Sequence, residues 1–175
     1  MPSYDNLLGP DGSENNMGGT SQFLYYIPYA DIATFAAPAA APAQQSLLTT
    51  AHVPKTGKKF LQLYTTIDTS AIEHALNGDV DGISFKPTLT CFYPGVSDAI
   101  VDFINKAKND KFIFLVPLPD GKIIQIGSDR FCAYVKPSPK SGKTTDRGRG
   151  TEFEIYAHQP DMLIYKAAVP LTPAA

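Results

Sequence analysis

The chain has 175 residues, 43% of them hydrophobic, which is enough for one domain with a sizeable core. Only 18% are charged and the formal net charge is −2, so no global field favours nucleic acid or a membrane surface. The opening Met1-Pro2-Ser3-Tyr4-Asp5 lacks a basic and apolar leader. No apolar run approaches the ~20 residues of a membrane span. Two cysteines, Cys91 and Cys132, lie far apart in apolar runs and read as buried free thiols. Together these features predict a soluble protein made in a reducing cytoplasm.

Residues 1–19 are polar and glycine-rich and read as a flexible N-terminal arm. Residues 20–175 read as one β domain. Gln22–Ile27 is aromatic and β-prone, and Pro28 confines it to an edge or an end. Residues 36–59 read as an extended loop: its first part is proline-stiffened, and its second part, with turn chemistry at Pro54 and Thr56-Gly57, suits an extended hairpin, although Leu47, Leu48 and Val53 are thin apolar content for a core element; Lys55, Lys58 and Lys59 form a basic cluster. Residues 60–67 alternate as a strand, residues 70–78 read as a short helical turn or an irregular link, and residues 82–93 form a long strand bent at Pro87.

Ser97 is a natural N-cap, and Ile100, Phe103, Ile104 and Ala107 make one apolar stripe, so residues 97–109 form a helix. Residues 111–118 are apolar on both faces and predict a strand covered on two sides. Pro119-Asp120-Gly121 turns the chain into residues 122–127, and residues 131–135 continue the sheet. Residues 136–149 read as a basic loop, followed by strands at 151–158 and 162–169. About seven or eight strands and one helix predict an all-β or α+β domain, a sandwich or closed barrel with one flanking helix.

Few constellations offer chemistry. Ser141-Gly142-Lys143-Thr144 resembles the end of a phosphate-binding loop, but Pro137 stands where the first glycine belongs, and a strand-like segment follows instead of a helix. Asn77, Asp79, Asp81 and Gly82 match the start of a calcium loop, yet Thr88 occupies the place of its bidentate glutamate. That stretch reads as a tight acidic turn with glycines at positive φ. His52, His74 and His158 have no metal-ligand spacing and read as surface or loop histidines. No catalytic set, cofactor or metal is predicted. The basic stretch Lys136, Lys140, Lys143, Arg147 and Arg149 suits a solvated loop, an acidic partner surface or a phosphate backbone.

The order of elements, carried by Phe85–Pro94, Ser97–Asp110 and Phe112–Val135, resembles the tail-tube protein family of long-tailed bacteriophages. The resemblance covers about a third of the chain and is one of architecture; that family has no strict signature motif. It implies a β-sandwich with a flanking helix, hexameric rings stacked into a tube, and DNA passing through the lumen without sequence-specific binding. The partners implied are further copies of the chain and other tail or neck proteins, with no membrane, in a virion tail. Lumens in that family tend to be acidic, so the basic loop is assigned to a ring–ring contact or the outside. Lys140, Lys143, Arg147 and Arg149 would then meet Asp79 and Asp81 across the junction, with Lys55, Lys58 and Lys59 as further contacts. The strands 60–67 and 82–93 are expected to form the inner wall, with Gln62, Thr66 and Thr88 facing the lumen. Two alternatives remain. One is a neck or tail-terminator protein. The other is a nucleic-acid-binding β-barrel using the basic loop with Tyr25, Tyr26 and Tyr64.

Overall fold

Alternating burial sorts the strands into layers. The computed structural model describes residues 15–38, 46–143 and 148–174. Among these, the elements in chain order are β1 (Phe23–Pro28), β2 (Ile32–Thr34), β3 (Leu47–Leu48), β4 (Val53–Pro54), β5 (Leu61–Tyr64), β6 (Ala71–Asn77), β7 (Ser84–Pro94), α1 (Asp98–Ala107), β8 (Phe112–Pro117), β9 (Ile123–Ile126), β10 (Tyr134–Lys140), β11 (Gly150–Tyr156) and β12 (Leu163–Tyr165). The protein is mainly β with one helix. Twelve strands replace the expected seven or eight because the 36–59 excursion contributes β3 and β4, the 70–78 link contributes β6, and Ile32–Thr34 contributes β2.

A six-stranded sheet runs β3-β12-β9-β8-β1-β5 and a four-stranded sheet runs β10-β11-β7-β6; β2 and β4 form a separate pair. Neither large sheet closes into a barrel. They face each other across one core. Leu24, Leu63, Phe112, Phe114, Val116, Ile124 and Ile126 come from the first sheet, and Leu89, Cys91, Val135, Phe153 and Ile155 from the second. The helix starts where Ser97 Oγ accepts the Ile100 amide. Its Phe103 packs on Tyr26 and Phe112 of one sheet and on Phe153 of the other, so α1 fills an open side of the sandwich.

The opposite face of the six-stranded sheet is also covered. Ile27, Ile113, Leu115, Leu163 and Tyr165 meet Leu48 from the excursion, Ile32 before it and Phe60 just after it. That second layer explains why β8 is buried on both faces, as its unbroken apolar run requires. It also corrects the expectation that the excursion is an extended loop, since its Leu48, His52 and Pro54 are buried.

Two further expectations change, and the long strand at 82–93 is present as β7. Residues 71–77 are a strand, although alanine, glutamate and leucine favour helix; pairing with β7 along the whole of β6 overrides that propensity. β7 stays paired on both sides through Pro87, whose carbonyl accepts the Ala157 amide at 3.3 Å. Residues 134–140, read partly as basic loop, are a strand paired with β11. The strand β10 therefore runs on to Lys140, and β11 begins at Gly150.

Candidate assembly surface

The four-stranded sheet has one face in the core and one face open. The register places Tyr134, Tyr156, Thr88 and Glu73 in one row across the open face, Lys136, Glu154, Thr90 and Ala71 in the next, and Ser138 and Glu152 in a third, which ends at the buried Phe92. Opposite charges sit directly across from or next to one another. Lys136 Nζ lies 3.3 Å from Glu154, Lys140 pairs with Glu152, and both Lys136 and Lys86 sit over the Tyr156 ring. Exposed pairs of this kind contribute little to stability, ~0–1 kcal/mol each. Their consequence is for surface chemistry: the glutamates and lysines of this face largely offset each other.

The two hairpin turns lie at opposite ends of this sheet. Asn77 pairs with Ser84 at the start of β7, so the 78–83 turn with Asp79 and Asp81 projects from that end. Gly150 pairs with Pro94 at the other end, so Lys143 and Arg149, which flank the link between β10 and β11, lie there. The eleven residues of β7 separate the turns by roughly 35 Å at the usual strand rise. Asp79, Asp81, Lys143 and Arg149 are exposed, and among the described residues none has an ion-pair partner. Val80, between the two aspartates, is 85% exposed. The left-handed positions of the acidic turn are Gly78 (φ 110°) and Asp81 (φ 69°), so an aspartate takes the second place expected of a glycine.

The other predicted site residues are dispersed. Lys140 is bound within its own chain, and Arg147 lies outside the described residues. Lys55, Lys58 and Lys59 are exposed on the excursion over the far side of the six-stranded sheet, where Lys58 pairs with Asp31 at 3.3 Å. Gln62, Thr66 and Thr88 do not share a wall. Gln62 is on β5 in the six-stranded sheet, Thr66 lies beyond that strand with a buried Oγ1 that has no hydrogen-bond partner among the described residues, and Thr88 is on the open face of the other sheet. Strands 60–67 and 82–93 belong to different sheets because alternation reports which residues share a face, not which strands are neighbours. Lys136, Glu152, Glu154 and Glu73 were not among the predicted contacts; the period-two glutamates of TEFEIY were the signal for that face.

Of the tyrosines, Tyr26 is taken up by ring contacts with Phe103, Phe112 and Phe114, which removes it from any base-stacking platform. Cys91 and Cys132 are both free; Cys91 is buried, and burial pushes its thiol up to about 12, while Cys132 is half-buried. His158 is exposed, but His52 is buried at 1% exposure, against the expectation of a surface histidine. Among the described residues no group of three or more His, Cys, Asp or Glu is placed to hold a metal, and no helix is long and apolar enough to cross a membrane.

No protein-family model, curated protein or solved structure matches the chain.

Proposed function

We propose that the protein is a self-assembling virion structural subunit that forms stacked hexameric rings, the tail tube of a long-tailed bacteriophage. The observation that carries this reading is the placement of an acidic turn and a basic turn at opposite ends of one four-stranded sheet. Opposite charges at opposite ends favour head-to-tail stacking, in which the same two unlike surfaces meet at every junction. Such a contact is heterologous and repeats without limit along an axis. The unpaired outer strands of the same sheet give a second, lateral direction for growth. The two directions together describe a ring that stacks. In this reading Asp79 and Asp81 meet Lys143 and Arg149 of the next ring, and the open face of the four-stranded sheet lines the channel. Its mixed charges suit passage of DNA without retention.

Negative-stain electron microscopy of the purified protein, with mass from light scattering, tests the reading. Six-fold rings or tubes of stacked rings are the expected result. A monomer at every concentration, together with steep salt-dependent binding to single-stranded nucleic acid, would overturn it in favour of a nucleic-acid module.

A further inference from the structure

The two outer strands of the four-stranded sheet are unequal in what their backbones offer, and the hydrogen bonds within the sheet determine how. Ala157 donates to Pro87 O, and Phe85 and Gln159 exchange bonds at 2.9 and 3.0 Å. The odd-numbered residues of β7 therefore bond toward β11, and the even-numbered ones toward β6. Their β6 partners are Asn77, Ala75, Glu73 and Ala71. The N–H and C=O groups of Ile72, His74 and Leu76 consequently point to the open side, and among the described residues they have no backbone partner.

The same count across β11 leaves Val135, Pro137 and Pro139 facing the open side of β10. Two of those three residues are prolines and have no N–H. The β10 edge thus presents three carbonyls and one amide, whereas the β6 edge presents three of each. Two β10 edges brought together would set acceptors against acceptors, which protects that edge from pairing with itself. Only a donor-rich strand satisfies it.

We infer that β6 of one copy pairs antiparallel with β10 of the next in a one-way ladder, with the amides of Ile72, His74 and Leu76 donating to the carbonyls of Val135, Pro137 and Pro139. This inference rests on the ring reading above and names its lateral seam. The directions are consistent: β6 and β10 run opposite ways within the sheet, so joining them continues its antiparallel order. Side chains agree as well. Glu73 lies on the open face and has no ion-pair partner among the described residues. Parity sets it on the same face as Lys136, Ser138 and Lys140 of the neighbouring β10 in every allowed register. A β6–β6 pair would leave both Glu73 carboxylates unpaired and oppose two His74 rings. Leu76, 65% exposed in the single chain, gains cover at the seam.

Disulfide scanning tests the seam. In a Cys132→Ser background, Glu73→Cys protein is mixed with Lys136→Cys, Ser138→Cys or Lys140→Cys protein at high concentration and oxidised. At least one mixture is expected to give a mixed disulfide dimer more than tenfold above either protein alone. Preferential linking of Glu73→Cys to itself, or no mixed link in any mixture, overturns the seam. Rings seen by microscopy without the link leave the ring reading standing; the absence of both removes both. His74→Pro gives a second readout. It deletes an outward amide and no bond to β7, so the variant is expected to keep its circular-dichroism spectrum and lose lateral assembly. A folded His74→Pro protein that assembles normally overturns the ladder.

Discussion

His52 shows how a single side chain holds the excursion to the sheet. Its Nδ1 accepts the Ala36 amide at 3.1 Å, so the ring proton sits on Nε2, which faces Gln125 Oε1 at 2.8 Å. Gln125 Nε2 donates to Gly127 O, the Gly127 amide donates to Gln159 Oε1, and Gln159 Nε2 donates to Asp161 O. The Tyr165 ring stacks on the imidazole, and its hydroxyl accepts the His52 amide. Desolvation lowers the His52 pKa from 6.5, with the Gln125 bond opposing in part. A second proton would also have to displace the Ala36 amide from Nδ1. Because the folded-state pKa is depressed, the unfolded chain binds more protons between that pKa and 6.5. Stability is therefore full above about pH 6.5 and falls as pH drops through that window, by up to ~1.4 kcal/mol per pH unit. Denaturant titrations across pH are expected to show this fall. His74, also lowered by burial, adds to it with the same sign. His52→Phe should remove the His52 share of the slope and cost about 2–4 kcal/mol at neutral pH, because Ala36 N–H and the Gln125 carbonyl lose their partner. An unchanged slope in that variant would rule out His52 as its source.

At the scale of elements, close approach between strands constrains the end of the basic hairpin. A Cβ on Gly150 would collide with the Phe92 ring and the Tyr93 carbonyl oxygen. The carbonyl belongs to the β7 ladder and cannot give way as a side-chain tip can. Gly150→Ala is expected to destabilise the fold by about 1–3 kcal/mol, read as a lower midpoint in chemical denaturation; a neutral result would mean that the β7–β11 pairing loosens freely there. Other elements were plain in the sequence because one local cause decided each of them. Ser97 and the 100/103/104/107 stripe set α1, and the apolar run 111–118 forced a doubly covered strand. β6 was not legible, since its residues carry helix propensity and only β7 makes them a strand. The excursion misled for a related reason. Its thin apolar content (Leu47, Leu48, Val53) is supplemented by a polar residue, His52, whose burial depends on Gln125, 73 residues away in the chain. The Lys136–Glu154 and Lys140–Glu152 pairs likewise needed a register between strands, which alternation alone does not give.

For the whole molecule, polarity is the property that assembly would use, and it permits a test by complementation. Asp79→Lys with Asp81→Lys gives a subunit basic at both ends of the four-stranded sheet. Lys143→Glu with Arg149→Glu gives one acidic at both ends. Head-to-tail contacts within either variant then oppose like charges, so each alone is expected to lose stacking while keeping its fold, because none of these four side chains has an ion-pair partner among the described residues. In a mixture the two variants are complementary at every junction when rings alternate, and tubes are expected to return. Wild-type stacking should weaken between low salt and about 1 M salt, where the Debye length falls to about 3 Å, and the mixed tubes should weaken in parallel. Microscopy and sedimentation read both effects. Tubes formed by either variant alone, or a mixture that stays unstacked at low salt while wild type stacks, would show that the two charged turns do not meet. Within the basic stretch, Lys136 and Lys140 are matched by Glu154 and Glu152 on the face of their own sheet whichever result is found, so the test decides the role of Lys143 and Arg149.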